Sequence, residues 1–137
     1  AGSERVLELH GNWSRLTCTG CGEHVTLDDV DGARSGEVPR CPACASVLRP
    51  DIVFYGEMLD SDVIEGAVRA ISEADLLIVA GTSLVVYPAA GLVDYYAGER
   101  LVLMNATSTP YDSRADLIIR EPVGQVFEEL GRRSRRP

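Results

Sequence analysis

A chain of 137 residues, 45% apolar and 25% charged, has material for one folded core or for a small domain with a module attached, which excludes a disordered polymer. No run approaches the roughly 18 apolar residues that a membrane-crossing helix needs. A formal net charge of −8 sets the surface against phosphate backbones and in favour of Lys/Arg-rich partners.

From the N-terminus, Ala1 to Glu8 carries neither the basic nor the apolar part of a signal peptide, so a cytoplasmic address is expected. Cys18, Cys21, Cys41 and Cys44 then stand as C-x2-C, a gap of 19 residues and a second C-x2-C, the spacing of a four-thiolate zinc site. Thr19-Gly20 and Pro42-Ala43 fill the two turns. Two disulfides are the other arrangement open to four cysteines, but a reducing compartment disfavours them. Four protein thiolates leave a zinc ion no open coordination position, so the metal is expected to be architectural. A nucleic-acid finger fits poorly, because Glu23, Asp28, Asp29, Asp31 and Glu37 outweigh Arg34 and Arg40 between the cysteine pairs.

From Asp60 onward the periodicity becomes that of alternating helices and strands. Asp60 or Ser61 caps a predicted helix with Val63, Ile64, Ala67, Val68 and Ile71 on one face, ending near Ala74-Asp75. The apolar run Leu76 to Ala80 predicts a strand buried on both faces, and Gly81-Thr82-Ser83 ends it. Pro88 opens a predicted helix through Leu92, Val93 and Tyr96, stopped by Gly98. Leu101 to Met104 and Leu117 to Ile119 are further strands, and Pro122 opens a last helix through Val123, Val126, Phe127 and Leu130.

This order implies an α/β fold with right-handed crossovers and a parallel sheet, half of a doubly wound architecture. Ligands of such sheets sit beyond the carboxyl ends of the strands. Gly81-Thr82-Ser83, Asn105-Ala106-Thr107 and Arg120-Glu121 are therefore expected on one rim, offering groups suited to ribose and phosphate. Each also has a plainer reading: Gly81 permits a turn, Ser83 and Thr107 cap, and Asn105 forms an Asx-turn. No G-x-G-x-x-G and no Walker loop occurs, so the principal diphosphate turn is not in this sequence. The expected divisions are 1–17 as an entry segment, 18–50 as the zinc module, 51–131 as the half sheet and 132–137 as a basic, disordered tail.

Taken together, Glu8-Leu9-His10-Gly11, the C-x2-C pairs, Leu48-Arg49-Pro50, Val53-Phe54-Tyr55-Gly56-Glu57, Gly81-Thr82-Ser83-Leu84-Val85-Val86-Tyr87-Pro88 and Met104-Asn105 occur in the order known from sirtuins. The chain resembles the C-terminal portion of that family, beginning just after its catalytic histidine, over nearly its whole length. The resemblance implies the C-terminal part of a Rossmann-like sheet with an inserted zinc ribbon, and the activity of an NAD-dependent protein-lysine deacylase. It implies structural Zn2+ on Cys18, Cys21, Cys41 and Cys44, and NAD+ as cosubstrate. Gly81, Thr82, Ser83 and Asn105 would contact the cosubstrate, with Arg120 and Glu121 approaching its adenine.

An acyl-lysine protein or peptide would be bound by Val53, Phe54, Tyr55, Gly56 and Glu57 on one side and by Leu84, Val85, Val86 and Tyr87 on the other, as an added strand. In the family's chemistry the acyl oxygen attacks the nicotinamide ribose carbon, nicotinamide leaves, and a histidine base activates a ribose hydroxyl. That histidine precedes a segment like Ala1-Gly2-Ser3, and the glycine-rich cofactor turn precedes it too. The resemblance therefore implies an N-terminal half, in cis or in trans, and no turnover by this chain alone. His10 matches the Leu-His-Gly segment as a supporting residue, and His24 falls in the ribbon. Neither membrane nor nucleic acid is an expected partner. The competing reading is a non-catalytic zinc-ribbon module that binds peptide.

Overall fold

The computed structural model describes residues 3–30 and 36–134, which belong to two units, residues 1–64 and residues 65–137. In the first unit β1 (Gly11–Cys18) is the central strand of an antiparallel sheet, with β2 (His24–Thr26) on one side and β3 (Leu48–Ile52) on the other. Alternation along β1 turns Leu16 and Cys18 to one face, where they bury with Leu48 and Cys41 against Val25, Leu27 and Val30. As an edge strand, β3 tolerates Pro50, because one side of its backbone needs no ladder partner.

The divisions expected at 17/18 and 50/51 need correction. β1 starts inside the supposed entry segment, and its partner β3 ends beyond residue 50, so strand pairing joins both segments to the cysteine-bearing loops. Of the residues weighed for charge in that stretch, Asp31 and Arg34 lie outside the described residues.

Asp60 caps α1 (Ser61–Ser72): its Oδ1 accepts from the N–H of Asp62 at 2.8 Å and of Val63 at 3.2 Å. The boundary between the units falls within this helix, which ends two residues earlier than expected. In the second unit β4 (Leu77–Ala80), β5 (Leu101–Met104) and β6 (Leu117–Ile119) form the expected parallel sheet in the order β4-β5-β6. Leu101 and Leu103 of the central strand are buried with Leu84, Ala90, Val93, Tyr96 and Tyr111, and Leu77 and Val79 pack on this cluster.

Two expectations for this unit are corrected. The apolar run of β4 does not bury both its faces: Ile78 is 40% exposed, and Leu117, in register with Ile78 through Val102, is 50% exposed. The predicted helix after Pro88 is a 3-10 segment, Ala89–Tyr95, following a cis Tyr87-Pro88 bond. Gly91, Val93 and Tyr95 are weak helix formers, and the Tyr96 side chain is held elsewhere, donating its hydroxyl to Asp75 O at 3.2 Å.

The last helix, α2 (Val123–Ser134), begins after Pro122 as expected. It continues through Arg132 and Arg133, both paired with Glu129 at 2.9 Å, so the expected disordered tail is helical as far as Ser134. The remainder of that tail, residues 135–137, lies outside the described residues. Among the described residues no helix is long and apolar enough to cross a membrane.

Candidate metal centre and strand-end rim

Two equivalent knuckles aim the cysteines of the first unit at one point. Gly22 N donates to Cys18 O at 3.1 Å and Ala45 N to Cys41 O at 2.8 Å, while Cys18 N donates to Glu23 O and Cys41 N to Ser46 O, both at 2.8 Å. The residue after each second cysteine, Gly22 or Ala45, is left-handed, with φ of 75° and 59°. All four Sγ atoms lie within 4.8 Å of one another. Cys18 and Cys44 are 3.4 Å apart and Cys21 and Cys41 3.7 Å, far beyond a disulfide bond. A tetrahedron with Zn–S bonds of ~2.3 Å has sulfurs ~3.8 Å apart, so the donor set and spacing fit a structural zinc ion.

The thiols differ in acidity for local reasons. The Ser46 hydroxyl and its backbone N–H pull Cys44 down to about 6, and the Cys21 N–H lowers Cys18. At Cys21 the backbone N–H of Glu23 favours the thiolate, but the neighbouring sulfurs of Cys44 and Cys18 outweigh it and push the thiol up to about 12. Four thiolates cannot share this volume without a cation between them.

In the second unit the expected rim residues are brought together. Gly81 N donates to Met104 O at 2.9 Å and Asn105 N to Ile119 O at 3.0 Å, which stitches the ends of β4, β5 and β6 side by side. Gly81 has φ of +67°, and a Cβ there would meet nothing within 4 Å, so open space lies directly over its backbone. Thr82 and Ser83 are exposed; Thr82 Oγ1 accepts from Leu84 N at 3.2 Å. Asn105 does not form the Asx-turn, in which its oxygen would accept; instead its Nδ2 donates to Thr107 O at 3.0 Å.

Arg120 is turned inward to the loop that follows β5. Its Nη1 donates to Asn105 O at 3.1 Å and to Thr107 O at 2.7 Å, and its Nη2 pairs with Asp112. Glu121, next along the chain, is exposed. Asp112 joins the rim with no sequence motif to mark it, because it reaches the rim from a separate turn through Arg120. Burial raises its carboxyl pKa, but hydrogen bonds from Thr109 and Arg120 outweigh this and hold it below the usual carboxylate range.

A depressed carboxyl contributes stability above its unfolded value, and that contribution disappears as the pH falls through the folded one. Asp112→Asn is therefore expected to lower the melting temperature fully at pH 7, with the gap to the native protein closing only below the aspartate reference of about 3.9. Melting curves between pH 2.5 and 7 check this; a gap independent of pH contradicts it.

Of the peptide-facing candidates, Val85, Val86 and Tyr87 are exposed in the second unit, whereas the Leu84 side chain belongs to the core at φ of 53°, leaving its backbone for any contact. In the first unit Val53 N donates to His10 O at 3.0 Å, Phe54 and Gly56 are exposed, Tyr55 is fully so, and Glu57 is engaged by Arg49. His10 is exposed, and His24 Nδ1 meets Thr17 Oγ1 at 2.9 Å.

Residues 1–88 match the family model described as Sir2 family. The chain belongs to the Sir2 family. Among Sir2 relatives it is 48% identical over 130 residues to an NAD-dependent protein deacetylase of Clostridium acetobutylicum, and 51% identical over 131 residues to one of Clostridium perfringens. Each alignment covers 95% of this chain and 53% of the relative. A solved Sir2 structure with a p53 peptide and NAD+ matches with a TM-score of 0.79 and 41% identity, over 95% of this chain and 57% of that one. The chain thus spans about half the length of the Sir2 proteins it resembles.

Proposed function

We propose that this chain is the zinc-bearing, cosubstrate- and peptide-facing part of an NAD-dependent protein-lysine deacylase that removes acetyl groups. The observation that carries the reading lies within the second unit: the rim segment Gly81-Thr82-Ser83, joined to the ends of β5 and β6, runs directly into the exposed residues Val85, Val86 and Tyr87. One continuous stretch thereby offers backbone and hydroxyls to a nucleotide and exposed residues to a peptide.

In this reading Gly81 lets the cosubstrate's phosphates approach the backbone. Thr82 accepts from Leu84 N and so keeps its own proton to donate. Ser83 offers a second hydroxyl. Asn105 uses its amide N–H on Thr107 and turns its oxygen to a ribose hydroxyl. Arg120 and Glu121 border the adenine side, Arg120 by holding the Asn105–Thr107 loop. Val53, Phe54, Tyr55, Gly56 and Glu57 in the first unit, and Leu84 to Tyr87 in the second, serve the acyl-lysine peptide. NAD+ supplies the ribose carbon that accepts the acyl oxygen when bound.

The proton-transfer base belongs to an N-terminal half, supplied in cis or in trans, and this chain by itself is inactive. Two observations support that half: the chain spans about half of its relatives' length, and Ile78 and Leu117 leave apolar sheet surface exposed. A cytoplasmic address is part of the same reading, since four cysteines gathered for zinc and not paired as disulfides suit a reducing compartment.

Nicotinamide release from NAD+ with an acetyl-lysine peptide, measured for the chain alone and for the full-length protein, tests the proposal. Release by the full-length protein only is expected. Peptide binding by a monodisperse chain, with no nicotinamide release in either form, would instead establish the non-catalytic module.

A further inference from the structure

The five residues after β3, Val53 to Glu57, end in a turn closed by its own backbone and by the Glu57 side chain. Glu57 N donates to Phe54 O at 3.1 Å, and Gly56, the third residue of the turn, has φ of +87°, a conformation that suits glycine. The Glu57 carboxylate closes the same turn from the other side, accepting from Phe54 N at 3.0 Å. Arg49, projecting from β3, reaches both oxygens of that carboxylate through Nη2, at 2.6 and 2.5 Å. The Arg49 guanidinium also lies over the Phe54 ring, 5.0 Å from its centroid. Glu57 is held below the ordinary carboxylate range by the Phe54 N–H and by Arg49. Tyr55, at the tip, is 102% exposed and has no part in the closure.

A carboxylate engaged on both oxygens by Arg49, and on one of them by its own loop as well, is poorly placed to accept from a substrate. We infer that Arg49 and Glu57 are positioning residues: together they preset the Phe54–Glu57 turn in the shape in which Phe54 and Tyr55 meet the acyl-lysine peptide. This assigns to Glu57 an indirect role in place of the direct contact that the resemblance implied, and it adds Arg49 to the site. It rests on the deacylase reading above. Because the pair is half exposed, its loss weakens the turn more than the fold. The ordering of the loop that Arg49 now provides in advance would then have to occur on binding.

The test is steady-state kinetics of the full-length protein with an acetyl-lysine peptide and NAD+, for Arg49→Ala, Glu57→Ala, the double variant and Arg49→Lys. Each single alanine variant is expected to raise the peptide KM about fivefold or more, with a smaller change in kcat and in the KM for NAD+. The double variant should be no worse than either single one, since both remove the same closure. Arg49→Lys keeps the charge and should recover most of the loss.

An unchanged peptide KM in Arg49→Ala, or additive effects in the double variant, would overturn the positioning role while leaving the deacylase reading intact. If Arg49→Ala fails to fold, Arg49→Lys and Glu57→Ala carry the comparison, and equal losses in kcat and both KM values count against the inference. A native protein with no deacylation at all overturns the parent reading, and this one with it.

Discussion

Stripping zinc with a strong chelator under reducing conditions is expected to unfold the first unit and to leave the parallel sheet of the second in place. Among the described residues, the buried core of the first unit consists of Leu16, Leu48 and two of the ligands themselves, Cys18 and Cys41. A core that small supplies little stability without a staple. Structural zinc sites bind with about 10–16 kcal/mol at neutral pH, and that energy is folding energy where the apo site cannot form. Losing the ion leaves sulfurs 3.4–3.7 Å apart with nothing to balance their charge, while β1 and β3 are held together chiefly by their ladder. Amide hydrogen exchange resolves the outcome: protection at Leu16, Cys41 and Leu48 should vanish as one zinc per chain is released, while Val102 and Leu103 stay protected. Retained protection in the first unit after complete zinc loss would make the metal incidental.

Gly11→Ala should be nearly as damaging, for a purely steric reason. Gly11 opens β1 at φ of +75°, and a Cβ built there lies 1.9 Å from Asp51 O and 2.9 Å from Asp51 C. The obstacle is backbone of the facing strand, so no side-chain rotation relieves it. The left-handed conformation alone costs an alanine about 1–2 kcal/mol. Displacing β3 also disturbs the bond from Thr17 Oγ1 to Asp51 Oδ1 at 2.6 Å and the pairing of Gly11 with Ile52. The total is expected to exceed about 4 kcal/mol, in the class reserved for such collisions. Urea unfolding followed by the fluorescence of Trp13, the chain's single tryptophan and a neighbour in β1, reads the change. A shift equivalent to less than about 1 kcal/mol would mean that β3 slides aside freely.

The reach of sequence reasoning followed the range of the interactions involved. The cysteines were legible because ligand chemistry fixes their spacing, and β4, β5 and β6 because each is a short apolar run bounded by helix signals. β1, β2 and β3 were not: Trp13-Ser14-Arg15 interrupts the alternation at an irregular register, β2 has three residues, and Pro50 argues against a strand unless its edge position is known. The rim could be located from the strand ends, but not the clamp across it, since Arg120 meets Asn105, Thr107 and Asp112 at separations of 15, 13 and 8 residues. The length of α2 was underestimated for the opposite reason, a local one: the Arg132 and Arg133 pairs with Glu129 extend a helix that composition alone marks as a tail.

The bonds from Gly81 N to Met104 O, from Asn105 N to Ile119 O and from Arg120 to Asn105 O make the three strand ends a single mechanical piece. A loop transplanted from another protein after β4 alone must still present a backbone N–H to Met104 O, and one placed after β5 must give its N–H to Ile119 O and its carbonyls to Arg120. Anyone redesigning this rim should therefore exchange the three loops as a block, with Asp112, and treat the sheet beneath them as the reusable chassis.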